Sequence, residues 1–226
     1  LKNDKLKLRI SGYIPYIEFN NYEKICDDLK WFEKDVYEIK GFKAFYDGAL
    51  GSETGYFKDN YLGKDYNGYK TEMAESGELL RLAKEIDKSG MQSMVHAIGD
   101  KAVSELLDIC EEINKQNGKR DRRFRIEHAQ HIDENDFARF KQNDVIASVQ
   151  PIHLVYDSPI VKRILPENLV KRTHNYKNLL DIGVKLVFGT DFPIADINPW
   201  MNIQTAVTRK TGDEYFMREN RIGLND

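Results

Sequence analysis

The chain has 226 residues, a formal net charge of −3 and a sequence pI of about 6.0. This near-neutral balance gives no reason to expect a nucleic acid or an anionic membrane as a partner. Hydrophobic residues make up 41% and charged residues 31%, which fits a globular rather than a disordered protein. We find no apolar run of about 18 residues and no signal-peptide pattern, so we expect a cytoplasmic protein.

Extended and helical patterns alternate along the whole chain. The predicted strands are Leu6–Ile17, Gly41–Asp47, Met91–Ala97, Arg122–His128, Asp144–Gln150 and Val184–Thr190. The predicted helices are Tyr22–Lys34, Glu72–Lys88, Lys101–Asn117, Glu134–Gln142 and Glu167–Asp181. Repeated β-then-α units imply a parallel sheet covered by helices, either a closed barrel or an open doubly wound sheet. No GxGxxG follows a strand, which weakens a dinucleotide-binding interpretation.

One long irregular stretch, Asp47–Thr71, follows the second predicted strand and is rich in Gly, Tyr and Asp. A loop of this length after a strand is more often an active-site lid than a plain connection. Its aromatic residues either line a substrate pocket or pack the loop against the domain, and the sequence leaves both options open.

Residues of the types that act in catalysis or bind metal ions cluster where the predicted strands end. They are Lys43, Asp47, His96, His128, Gln150, His153 and Asp191. In a parallel α/β fold, ligands gather at this edge of the sheet. Imidazole and carboxylate groups that converge there suit zinc or a similar divalent ion.

Each of these residues also has a simpler explanation. A single His at a strand end is more often a hydrogen-bonded core residue than a ligand, and Asp191 before Phe-Pro could shape a turn. Lys43 shares a strand face with Phe45 and Asp47, and an inward Lys is costly unless it is paired or modified. A salt bridge from Lys43 to a nearby acid is therefore the alternative to a ligand role. Taken together, the residues are hard to explain as packing.

The same segments resemble the amidohydrolase superfamily, specifically its YtcJ-like branch (amidohydrolase family 3), which includes N-substituted formamide deformylases. The resemblance rests on FKAFYDGALGSETGYF, VHAIGDKAV, RIEHAQHI, ASVQPIH, FGTDFPI and NIQTAVTR, in the family order from Phe42 to Arg209. It implies a (β/α)8 barrel that binds one or two divalent metal ions, with zinc expected. The six predicted strands would then be strands 3–8 of that barrel.

Carried over by motif, the resemblance assigns the metal ligands to four residues. Lys43 takes the place of the fourth-strand lysine, which is often carboxylated in the superfamily. His96 and His128 take the places of the fifth- and sixth-strand histidines. Asp191 takes the place of the eighth-strand aspartate, which also serves as the general base.

The sequence departs from the family in one respect. The family's HxH pair on the first strand does not occur, and the first two strands and the small β-sandwich domain have no candidate segments. We therefore expect residues 1–226 to be a single catalytic barrel fragment, truncated at the N-terminus, and this fragment alone could be inactive.

The remaining polar residues were assigned by position. Asp47, Gln150 and His153 are the candidate substrate-binding residues. His131, three residues past His128, is not expected to be a ligand, and His174 in the polar stretch Lys171–Lys177 is expected to be exposed on a helix.

These observations predict a metal-dependent hydrolase that acts on non-peptide carbon–nitrogen bonds of amides, formamides or cyclic amides. The alternative is a non-catalytic barrel fragment or binding module without a complete metal site. A metal-free, phosphate-binding barrel is disfavoured because no glycine-rich loop opens a helix. The expected partner is a small amide-type substrate, and exposed strand edges predict self-association into homo-oligomers.

Overall fold

The computed structural model describes residues 8–29 and 36–223. Its main sheet has six strands, each parallel to its neighbours and arranged in chain order. The strands are Ile10–Pro15 (β1), Tyr37–Phe45 (β2), Gln92–Ala97 (β3), Arg125–His128 (β4), Ile146–Val149 (β5) and Leu186–Phe188 (β6). All six predicted strands are thus present, with shifted boundaries. Residues 6 and 7 of the first predicted strand lie outside the described residues.

Helical segments connect the strands. The α-helices are Tyr22–Leu29 (α1), Glu72–Glu75 (α2), Glu78–Lys88 (α3), Asp100–Asn117 (α4), Phe137–Gln142 (α5), His153–Ile164 (α6), Glu167–Val170 (α7), Tyr176–Asp181 (α8) and Pro199–Thr208 (α9). Sequential parallel strands with helical crossovers form the consecutive part of a (β/α)8 barrel, strands 3–8. The doubly wound alternative, in which the strand order reverses at a switch point, does not apply.

The hydrophobic core lies between the outer face of the sheet and the helices. Val95 and Ile126, on neighbouring strands, are fully buried, as are Leu106 and Ile113 on α4. The concave inner face is polar: Arg125, on β4, donates to Glu127 at 2.8 Å and to Ser148 Oγ at 3.0 Å. The sheet therefore has one apolar face for packing and one polar face toward the barrel axis.

Two predicted helices are interrupted. The stretch Glu72–Lys88 breaks at Gly77, whose φ of +80° is left-handed and ends the regular helix there. The stretch Glu167–Asp181 breaks where Thr173 forms a bridge to His131 and His174 takes a φ of +49°. Of the first predicted helix, residues 30–34 lie outside the described residues.

Two helices and a hairpin in the C-terminal half were not predicted as elements. They are α6, which contains Pro159 and still continues to Ile164, α9, and a short antiparallel hairpin of Lys210–Thr211 (β7) and Glu214–Tyr215 (β8). In the described part of the chain, no helix combines the length and apolar character that crossing a membrane requires.

Candidate active site

The C-terminal edge of the main sheet brings the candidate residues together. His96 is paired in register with Phe45 on one side and Glu127 on the other, and His128 is paired with Ala97. Gln150 directly follows β5, and His153 begins α6. Because all six strands are parallel, their C-terminal ends lie along one edge of the sheet, and these side chains lie at that edge.

Three imidazoles form a row along this edge. The ring centroids of His96 and His128 are 4.5 Å apart, and those of His128 and His153 are 5.9 Å apart. Burial lowers the pKa of His96 to about 4, and the positive charge of Lys43 acts in the same direction. Burial also lowers the pKa of His128 well below its usual value, assisted by His96 and Lys43. Both rings are therefore neutral at pH 7, the form in which imidazole binds a metal ion.

His96 has a defined hydrogen bond on one ring nitrogen. Its Nε2 lies 2.8 Å from the carbonyl oxygen of Gly48, so this nitrogen carries the proton and donates. The same atom is 3.5 Å from Oδ1 of Asp47. This contact fixes the ring, and binding a metal through Nε2 requires that it be given up.

His128 has an unsatisfied nitrogen instead. Its Nδ1 is buried without a hydrogen-bond partner, and so is Oε1 of Gln150. Leaving a buried polar atom unpaired costs about 1–3 kcal/mol. An unpaired imidazole nitrogen beside a second neutral imidazole is the kind of donor that a divalent ion takes up.

Lys43 is partly buried at the same edge, and its Nζ lies 5.1 Å from the centroid of the Phe45 ring. Burial lowers the pKa of Lys43, while the carboxylates of Glu127 and Asp191 oppose that shift. Glu127 is already paired with Arg125 at 2.8 Å. Among the described residues, no carboxylate reaches Lys43 within 4.0 Å, so the salt-bridge alternative for this lysine is not found.

Asp191 lies three residues past β6, with an exposed side chain and a φ of +57°. His153 Nε2 is 3.3 Å from the carbonyl oxygen of the preceding residue, Thr190. Asp191 and Gln150 also line a cavity of about 620 Å³ along the concave face of the sheet. The three imidazoles do not line that cavity. We place the chemistry at the strand ends, because the donor atoms are concentrated there.

Asp47 is an anchor for the loop that follows it. Its carboxylate, 2% exposed, accepts backbone N–H bonds from Tyr56 at 2.8 Å, Ile98 at 3.0 Å and Gly99 at 2.8 Å. Burial raises the pKa of Asp47 to about 7, against the lowering effect of these N–H groups. Its predicted contact with substrate stays a prediction.

The loop Asp47–Thr71 packs against the domain. Phe57 and Tyr61 are buried, and the Tyr61 hydroxyl donates to the carbonyl oxygen of Gly55 at 2.9 Å. Farther along, Tyr66 and Tyr69 are partly exposed. The buried aromatic residues thus pack the loop against the domain, and a pocket-lining role for the exposed ones stays a prediction.

The prediction for His174 was wrong. The residue is buried, with Nδ1 2.9 Å from the Tyr176 hydroxyl and Nε2 2.9 Å from Oδ2 of Asp157. Gln130 Nε2 also donates to Asp157 Oδ2, at 2.8 Å. This network lies behind His128, and the polar composition of Lys171–Lys177 gave no signal for it. His131 is buried too, with its Nδ1–H donating to the carbonyl oxygen of Ile98 at 3.0 Å.

The donor set fits part of a metal centre. Two neutral imidazoles, an unsatisfied nitrogen, a lysine and a carboxylate occur at one edge. However, the described residues contain no group of three or more His, Cys, Asp or Glu side chains that could hold an ion by itself. The sequence also contains no HxH pair.

Comparison with known proteins decides the family. The Amidohydrolase family profile matches residues 2–225. The chain belongs to this family. It is 42% identical over 191 residues to Protein LONG AFTER FAR-RED 3 of Arabidopsis thaliana, covering 83% of the chain and 33% of that protein. It is 34% identical over 179 residues to the Putative amidohydrolase YtcJ of Bacillus subtilis (strain 168), covering 78% of the chain and 33% of that protein.

A solved structure of a metal-dependent hydrolase shares the fold. An uncharacterized metal-dependent hydrolase from Pyrococcus horikoshii superposes with a TM-score of 0.80 at 28% identity. The match covers 98% of this chain and 44% of that structure. The chain thus spans less than half the length of the proteins that it matches.

Proposed function

We propose that this amidohydrolase chain supplies the catalytic edge of a metal-dependent hydrolase acting on C–N bonds of amides, formamides or cyclic amides. The observation that carries the proposal is the row of neutral imidazoles, His96 and His128, at the sheet edge where Lys43 and Asp191 also lie. The metal-dependent hydrolase from Pyrococcus horikoshii, similar over 98% of this chain, gives independent support.

We assign the metal to Lys43, His96, His128 and Asp191, with zinc favoured by the nitrogen and oxygen donors. When bound, a divalent ion polarises a carbonyl group and lowers the pKa of water toward neutrality. The lowered pKa of Lys43 favours its free amine. That amine would add to CO₂ with loss of one proton to give a carbamate, whose oxygen atoms would be available as metal ligands.

Asp191 is the proposed general base. Its carboxylate is exposed and borders the 620 Å³ cavity on the concave face. It would accept a proton from the attacking water at a carboxylate oxygen and then pass it to the departing nitrogen. Protonation of the nitrogen allows the C–N bond to break with release of a neutral amine instead of an amide anion.

Substrate orientation is assigned to Gln150 and His153. Gln150 Oε1 is buried and unpaired, so it is free to accept an N–H from an amide. His153 stacks on His128 with an interplanar angle of 24° and borders Thr190. Asp47 would act at the same end of the sheet, where its loop closes over His96.

The direct test is Asp191→Asn in the complete, zinc-supplemented protein, measured by release of amine from a panel of formamides and cyclic amides. Loss of turnover by at least about 100-fold, with an unchanged unfolding curve, is expected for a general base. Asp196→Asn is the matched control, since Asp196 is exposed in the same loop. Near-normal turnover by Asp191→Asn would contradict the assignment of Asp191 as the general base.

The alternative is a binding module without catalysis. It is favoured by the lack of a complete three-residue ligand group in the described part of the chain and by the bond between His96 Nε2 and Gly48. Elemental analysis after exhaustive dialysis separates the two functions. About one tightly held ion per chain supports the hydrolase, and a metal-free protein would say that this chain alone is not an active enzyme.

A further inference from the structure

Arg209 is a buried cation at the end of α9. It is 3% exposed and adopts a left-handed backbone with φ +55°. Its Nε donates to the carbonyl oxygen of Phe216 at 2.9 Å, and its Nη1 donates to that of His174 at 2.6 Å. Its Nη2 is buried and has no hydrogen-bond partner. One side of the guanidinium is therefore unsatisfied.

A small cavity adjoins this unsatisfied side. Its volume is about 10 Å³, and Arg209 and Asn220 both line it. Nδ2 of Asn220 is also buried without a partner. The remaining walls combine the apolar side chains of Leu154, Ala206 and Ile222 with the polar residues His174, Tyr176 and Thr205. Two residues that each carry an unpaired buried donor thus line one space.

In the described part of the chain, no acid forms an ion pair with Arg209. Within residues 8–29 and 36–223, no carboxylate comes within 4.0 Å of its guanidinium. Burial lowers the pKa of Arg209 to about 10, although Tyr176 and Glu219 oppose the shift. A buried charge without a counter-ion is unfavourable, so an anion that enters the site stabilises the folded protein.

We propose that this cavity binds a monatomic halide anion, chloride under ordinary conditions, between Arg209 Nη2 and Asn220 Nδ2. Both unpaired atoms are donors, and the ligand therefore has to accept two hydrogen bonds and need donate none. A water molecule would accept both bonds but would bring no negative charge to the guanidinium group. The space, close to that of one water-sized sphere, excludes carboxylates and phosphate.

The site would join three segments of the chain. Arg209 ends α9, its partner carbonyls belong to Phe216 after the hairpin and to His174 before α8, and Asn220 lies in the segment that follows. A bound anion would fix these segments together. The role is structural and independent of the proposed hydrolase activity.

The test is thermal unfolding of the protein in sodium chloride, sodium bromide and sodium gluconate at equal ionic strength. A halide bound only by the folded state raises the Tm in a saturable way, by about 2–4 °C at 200 mM. Gluconate is too large for the cavity and should give no such rise. A crystal soaked in bromide should show an anomalous peak in contact with Arg209 Nη2.

Asn220→Ala removes one donor and leaves the Arg209 clamp intact, so it should weaken the chloride dependence by about tenfold in half-saturating concentration. Asn178→Ala, at an exposed position of α8, is the matched control and should keep the full dependence. Equal Tm values in chloride and gluconate, together with no bromide peak at Arg209, would overturn the proposal and point to a water molecule.

Discussion

The hydroxyl of Tyr176 donates a hydrogen bond to the backbone carbonyl oxygen of His128 at 3.2 Å. His128 and the next residue, Ala129, have φ values of +71° and +43°, in the left-handed region that non-glycine residues avoid. Such residues cost about 1–3 kcal/mol each and persist only where the surroundings hold them. The Tyr176 hydroxyl is one of the groups that hold this turn and so aim the His128 ring.

The Tyr176 hydroxyl is in turn oriented by His174. Burial lowers the pKa of His174, and the neutral ring donates from Nε2–H to Asp157 Oδ2. Its Nδ1 is then an acceptor 2.9 Å from the Tyr176 oxygen. The single Tyr176 proton is therefore shared between His174 Nδ1 and the His128 carbonyl oxygen.

We predict that Tyr176→Phe destabilises the protein by about 1–3 kcal/mol, since two buried acceptors lose their donor. It should also weaken zinc binding, because the His128 turn is released. Urea unfolding and zinc titration calorimetry measure the two effects. Tyr69→Phe, at an exposed tyrosine, is the control. An unfolding free energy equal to that of the parent would show that the Tyr176 hydroxyl does not stabilise the turn at His128.

Replacing Asp47 with Asn tests its role as a loop anchor. The amide has one acceptor oxygen where the carboxylate accepts three N–H bonds, so we expect a loss of about 3 kcal/mol in unfolding free energy. Asp65→Asn, exposed in the same loop, should change stability by less than about 0.5 kcal/mol. A raised KM without lost stability would instead favour the predicted contact of Asp47 with substrate.

His131 predicts a pH dependence of stability. Burial lowers its pKa to about 3 in the folded protein, against 6.5 when unfolded. As the pH falls, the unfolded chain therefore binds this proton before the folded protein does. The contribution of His131 to the free energy of unfolding is complete above pH 6.5 and is lost as the pH falls toward 3. Between these two pKa values, His131 should lower the free energy of unfolding by about 1.4 kcal/mol for each pH unit of acidification.

Urea unfolding between pH 7.5 and 5 measures that slope. His131→Asn keeps a donor for the Ile98 carbonyl oxygen but does not titrate, so its stability should fall less steeply below pH 6.5 than that of the parent. Parallel curves for the two proteins would contradict the assignment of the acid sensitivity to this ring.

The segment around β6 and α9 exposes several large apolar side chains. They are Phe192 at 64%, Ile194 at 69%, Ile197 at 68% and Trp200 at 74% relative exposure. We expect this chain to self-associate through them, because contiguous exposed apolar surface is removed from water on contact. Sedimentation velocity should show oligomers that Ile197→Glu disperses and that the control Leu62→Glu does not. A clean monomer at high concentration would refute the expectation.

The sequence by itself predicted six strands and the family. Strand alternation is local, with a period of two, and motifs such as VHAIGD and RIEHAQ carry their signal in adjacent residues. The same locality placed Lys43, His96, His128 and Asp191 near strand ends. Because parallel strands share one carboxyl edge, this position sufficed to predict that they gather there.

Only the tertiary structure decided what each side chain touches. The polar sequence around His174 predicts exposure, yet Asp157, from a different helix, and Tyr176 enclose it. Asp47 is an anchor because Ile98 and Gly99, about fifty residues later, donate to it. Arg209 became an unpaired buried cation through the packing of α9 against the segment that carries Asn220. Burial and hydrogen-bond partners depend on residues distant in the chain, and local periodicity contains no record of them.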